Sequence, residues 1–249
     1  MKNNITDIDD LYKRYRKRYV IKKTITAIYN LFIGLCGLTA VMYSVLIFKS
    51  NLFDRLRYMT FNGTIYTTII SFAFVIISTI ESIRDTELTN KIVYYMRLSS
   101  AVTEFVIFAV VMFGLSPLVP DNPDIYTYPG VMMHLVVPIC SLVTFIFNDA
   151  PIGKLKPLEP LHGTWFITIY AVIMTFLFGT GILPSSRAPY SFLDFENNSI
   201  FFSIACLTGI YIVGYSISLF LSYLNRKMSW IWYKGVTKQY MKEKQLNKQ

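Results

Sequence analysis

Charge is what this sequence has least of. Only 16% of its 249 residues are Asp, Glu, Lys or Arg, against about 25% in a soluble domain. Hydrophobic residues make up 53%, aromatic residues 16%, and the mean hydropathy is +0.43. A single water-soluble core could not bury this much apolar surface. With 12 Gly and 10 Pro, the chain is also too poor in both for a collagen-like or disordered polymer. Cysteine is scarce and odd in number. Cys36, Cys140 and Cys206 each fall inside an apolar run and no CxxC occurs, so neither a disulfide framework nor a thiolate metal site is expected. They read as small packing residues. The two histidines, His134 and His162, fall on opposite sides of the topology derived below, so they cannot share a metal. No cofactor is expected.

What is present in quantity is uninterrupted apolar sequence. Six segments, approximately 25–48, 62–80, 98–116, 130–147, 164–183 and 200–223, are long enough to cross about 30 Å of hydrocarbon as helices. They are apolar on all sides, not at every second residue, which excludes a β-barrel. The expected fold is therefore all-α, a polytopic six-transmembrane-helix bundle forming one domain over residues 1–249. The polar stretch before residue 25 is too long, and the run after it too extended, for a cleavable signal. The first span is expected to stay in the mature protein.

The net charge of +9 and pI of 9.3 would suit nucleic acid if the cations were spread over a face. Instead they cluster before the first span (Lys2 to Lys23) and after the last (Arg226 to Lys248). Basic flanks on an apolar chain are topology signals and contacts for anionic headgroups, so membrane lipids and not nucleic acid are the expected partners. With the N-terminus inside, 19 Lys and Arg fall on the cytoplasmic side. Four (Lys49, Arg55, Arg57, Arg187) fall outside, and Arg97 sits at a border. Both termini are expected in the cytoplasm, and the bias fits a bacterial plasma membrane, as it would an endoplasmic-reticulum or eukaryotic plasma-membrane protein. The Pro-rich stretch Ser116–Asp124 reads as an ordered outer turn. Trp230, Trp232 and Tyr233 read as an aromatic belt ahead of a polar tail from Lys234.

Polar residues inside spans mark candidate sites. His134 lies about one turn into the fourth span, where a functional imidazole and one bonded to a neighbouring helix are equally compatible with the sequence. Glu104 lies seven residues after Arg97, on the same helix face and roughly 10 Å away. The two could bracket a polar seam, or each could pair with another helix, and Arg97 is expected to snorkel to the interface. Thr60 opens the second span, where a helix cap is the plainer reading. Asn62 and Asn197 head N-x-Thr/Ser sequons, which matter only in a secretory pathway. Topology raises Thr60 and His134 above the rest, because the second and fourth spans both begin on the outer side. A neutral imidazole near a Thr hydroxyl can take its proton and make it a nucleophile.

Three segments carry a resemblance that bears on the same residues. Tyr58-Met-Thr60-Phe-Asn62, Met133-His134-Leu-Val-Val-Pro138 and Pro189-Tyr-Ser-Phe-Leu-Asp194 resemble, in order and spacing, motifs of the androgen-induced gene one family of six-span membrane proteins. The resemblance implies catalytic Thr and His residues, matched by position at Thr60 and His134. It also implies hydrolysis of a lipid ester, the fatty-acid esters of hydroxy fatty acids split by animal members. Asn62, Arg187, Tyr190, Asp194, Glu104 and Arg97 are the accompanying candidates for substrate contact. Two positions depart from the pattern: Thr144 stands where several relatives carry an acid, and Ser191 where the family often has Pro. Asp149 is too far along the helix to stand in for that acid. A non-catalytic lipid-binding protein or small-molecule transporter is the competing reading.

Overall fold

A computed structural model describes residues 2–47, 52–84, 88–115, 123–149 and 155–233. Six helices long and apolar enough to cross a membrane dominate it, and among the described residues there is no strand. We number them α1 (Lys2–Ile47), α2 (Met59–Arg84), α3 (Lys91–Ala109), α4 (Tyr128–Phe147), α5 (Glu159–Gly179) and α6 (Ile200–Tyr233). The ends drawn for the first and third spans at residues 48 and 116, most of the Ser116–Asp124 turn, the tail from Lys234, and the side chains of Trp230, Trp232 and Tyr233 lie outside the described residues. The first helix corrects the apolar boundary at residue 25. It begins at Lys2, because the polar stretch continues the helix and folds its Lys22 and Lys23 against the bundle, where they are 1% and 6% exposed.

α3 is the hub, touching α2, α4, α5 and α6, while α1 lies along α2. The chain is apolar outside and polar inside. Ile28, Ile69, Ile76, Ile169 and Phe220 are exposed, whereas Thr64, Thr67, Ser71, Ser99, Ser100 and Thr103 are fully buried. This is what a hydrocarbon solvent selects: lipid satisfies the apolar faces, and helices associate through small residues and polar contacts. Gly34 and Gly37 let α1 close on Phe72 and Thr68 of α2, and Gly163 of α5 receives Ser218 of α6. Each contact is too tight for a larger residue without displacement.

The Lys/Arg-rich end of the bundle is tied shut by ions. Lys23 of α1 pairs with Glu81 of α2. The Glu81 Oε1 also accepts from the Leu88 amide at 2.7 Å and the Thr89 amide at 2.8 Å. Arg97, expected to snorkel, is instead 0% exposed: its Nε donates at 2.8 Å to Oδ2 of Asp149, two residues past the end of α4. The correction has a simple cause. A hub helix has no lipid-facing rim at that position, so the guanidinium is compensated across the α3–α4 contact. Asn225 of α6 closes the knot, its Nδ2 donating to the carbonyls of Phe145 at 2.6 Å and Asp149 at 3.0 Å.

Candidate functional site

At the opposite end, α2 starts where residues 54–59 are clasped by the loop between α5 and α6. Arg57 donates to Asp54 at 2.9 Å and to the Arg187 carbonyl at 2.6 Å. Tyr170 of α5 donates to the Arg57 carbonyl at 2.5 Å, and the Met59 amide donates to the Tyr190 hydroxyl at 3.2 Å. Burial pushes the Tyr190 phenol above its usual pKa, partly opposed by that amide. Asn62 turns back, donating to the carbonyls of Leu56 at 2.6 Å and Tyr58 at 3.0 Å. It therefore shapes the turn that delivers Thr60.

Helix N-termini leave their first amides without intrahelical partners. Here Tyr190 takes the Met59 amide and Asn62 donates to the Tyr58 carbonyl at 3.2 Å. Among the described residues, the amides of Thr60 and Phe61 donate to no group, and the Thr60 hydroxyl makes no capping bond. The expected cap role passes to the Tyr190 hydroxyl, which accepts from the Met59 amide. Thr60 is half-buried and leads the stripe Thr60, Thr64, Thr67, Ser71, Phe74 and Ser78 of α2. That spacing of 4, 3, 4, 3 and 4 holds one helix face, and from Thr64 onward the face is interior.

His134 sits in a π-helical turn, Met132–Val136, flanked by α-helical Tyr128–Val131 and Val137–Phe147. Pro138 is the cause. It has no amide to donate to the His134 carbonyl, and the Val137 amide reaches back five residues to Met132 instead. The turn packs against α1, α2 and α3, and Met133 buries with Ala40 and Phe61 in one cluster. The residues next to Thr60 and His134 thus meet. No hydrogen bond joins Thr60 to His134, and the imidazole Nδ1 is shut in without a partner among the described residues.

The other candidates are placed as follows. Asp194 holds its own loop, accepting from the Asn197 amide at 3.2 Å and side chain at 2.9 Å. The Arg187 side chain lies 3.9 Å from Asp54. Glu104 is fully buried with neither carboxyl oxygen hydrogen-bonded. Thr144 is buried, and Asp149 is engaged by Arg97 rather than by the imidazole. The His162 ring lies 4.3 Å from that of Tyr95, tilted by 41°, and 4.8 Å from that of Trp165. The three cysteines are free.

Sequence reasoning missed Tyr170, Arg57 and Asp54. The only local signal was the Asp54/Arg57 spacing of three residues. It also missed an apolar cavity of about 460 Å3 between the α2 start and α5, lined by Phe53, Leu56, Asn62, Ile169, Tyr170 and Met174 among others. Asn62 faces this cavity; Thr60 and His134 do not line it. Among the described residues no group of His, Cys, Asp and Glu could hold a metal ion. No protein-family model, no curated protein and no solved structure matches the chain.

Proposed function

We propose that this protein is a membrane-embedded threonine-dependent hydrolase of lipid esters, with Thr60 as nucleophile and His134 as general base. The observation that carries the reading is that Phe61 and Met133 share one buried cluster with Ala40, where α2 packs against the π-turn that holds an imidazole nitrogen unpartnered among the described residues. The resemblance to the androgen-induced gene one family supports the same pair. In the reaction, the Thr60 oxygen attacks the acyl carbon while His134 takes its proton and passes it to the departing alcohol. The undonated amides of Thr60 and Phe61, at the positive end of α2, suit the developing oxyanion. Substrates are esters of fatty acids that enter from the bilayer. The 19-to-4 distribution of Lys and Arg supports placing the ion-tied end and both termini in the cytoplasm, with the Thr60 end on the outer side of a bacterial plasma membrane.

Fluorophosphonate labelling of the purified protein in detergent tests the chemistry. Wild type should label at Thr60, while Thr60→Ala and His134→Ala should not, with helix content unchanged. Full ester turnover in either variant sinks the mechanism. One observation favours a second reading, a non-catalytic lipid-binding protein: the apolar cavity beside the site is lined by neither Thr60 nor His134. Absence of label in folded wild type, together with retention of a fatty acid probe that Ile169→Trp displaces, would favour it.

A further inference from the structure

Within the bundle, a set of buried polar atoms finds no partner in the protein. They are the hydroxyls of Thr64 and Ser71 on α2 and of Thr103 on α3, both oxygens of Glu104 on α3, which the Thr67 hydroxyl approaches without a well-formed hydrogen bond, and the hydroxyl of Thr144 on α4. All five residues are 0% exposed. Direct contacts knit their three helices into one seam. Thr67 and Ser100 hydroxyls are 2.9 Å apart. A Cβ on Gly63 would lie 3.0 Å from Thr103 Cγ2, and Arg97 Nη1 donates to Ser141 Oγ at 3.4 Å. Several threonines elsewhere quiet their hydroxyls on the carbonyl four residues back, as Thr68 does on Thr64 and Thr79 on Val75, although Thr175 does not. The seam threonines do not.

Polar groups in an apolar medium are almost always satisfied, and where protein supplies no partner, water does. Hydroxyls that both donate and accept, set around a carboxyl, match water. A metal cation would use only their acceptor side and would face the Arg97 guanidinium, seven residues or about 10 Å from Glu104. An acyl chain has no use for them. Thr60 stands one turn, about 6 Å, beyond Thr64 on the same stripe.

We propose that the seam of α2, α3 and α4 around Glu104 holds internal water and delivers it to Thr60 as the second substrate of ester hydrolysis. The delivery role rests on the hydrolase reading. After acylation, the water oxygen bonds to the acyl carbon and the bond from that carbon to Thr60 Oγ breaks. His134 takes the water proton and returns it to Oγ, and the carboxylic acid leaves.

Radiolytic hydroxyl-radical footprinting of the full chain in detergent, read by mass spectrometry, tests the water directly. Phe74 lies on the seam stripe, 5.6 Å from the Arg97 guanidinium, and is 5% exposed. Phe178 is 3% exposed in an apolar cluster and serves as the dry control. Phe74 should oxidise several-fold faster than Phe178, and the shape-preserving Thr103→Val and Thr64→Val should each lower that excess, as should Glu104→Met if it folds. Equal rates in wild type overturn the proposal. With an activated ester, Thr103→Val should keep the acylation burst and lose steady-state turnover several-fold; turnover unchanged overturns delivery. A wet seam in protein that shows no burst and no fluorophosphonate label would uphold the water and refute the hydrolase reading alone.

Discussion

Replacing Asp149 with Ala should strand Arg97. The guanidinium is 0% exposed and Asp149, its carboxylate partner among the described residues, 3% exposed, so outside solvent cannot take over. What stays near it is Ser141, at 3.4 Å to the hydroxyl and 3.5 Å to the carbonyl, and the Phe74 ring. None of these carries a charge. The Asn225 tie survives the change, because it reaches the backbone carbonyl of residue 149 and not its side chain. The substitution therefore leaves the helix tie in place while removing the carboxylate that faces Arg97 and, through space, the buried Lys22. Breaking a buried pair by removing one partner costs about 3–5 kcal/mol, whereas replacing both ions with apolar residues of similar volume is close to neutral. Equilibrium unfolding in mixed detergent micelles, followed by circular dichroism, should show Asp149→Ala losing that amount. Arg97→Met with Asp149→Leu should recover most of it. A loss below about 1 kcal/mol in the single variant, the range of exposed pairs, would mean the pair is hydrated and the reasoning fails.

Gly37→Leu should weaken the α1–α2 contact by about 1–3 kcal/mol, since Thr68 already occupies the space of a Cβ there, while Gly209→Leu, with nothing within 4 Å of its Cβ, should be neutral in the same unfolding assay. Equal effects would show that α1 is not held by close approach at Gly37. Pro138→Ala should restore the amide that the His134 carbonyl lacks, convert the π-turn to α-helix and rotate the imidazole away from α2. Fluorophosphonate labelling should then fall with helix content intact, and undiminished labelling would remove the π-turn from the mechanism.

How the site could be read in sequence differs from residue to residue. Thr60 and His134 were visible because span parity alone puts two helix starts at one end. Pro138 was visible too, but its consequence was not: whether a proline kinks, bulges or ends a helix depends on what packs around it. Arg97 misled, since a cation near a span end has two outcomes, snorkelling or pairing, and only the position of α3 at the hub selects the second. Tyr170 gave no signal, because its partner is a backbone carbonyl 113 residues away.

By itself the sequence determined the solvent and the count: scarce charge and six apolar runs leave a helical membrane bundle, because lipid can satisfy no backbone group. The tertiary structure decided everything that depends on azimuth, the face each helix turns to its neighbours. Runs apolar on nearly all sides carry weak facing information, so only packing shows that Thr64, Thr67, Ser100, Thr103 and Glu104 converge inside. The same packing sets Asp149 against Arg97 and not against His134.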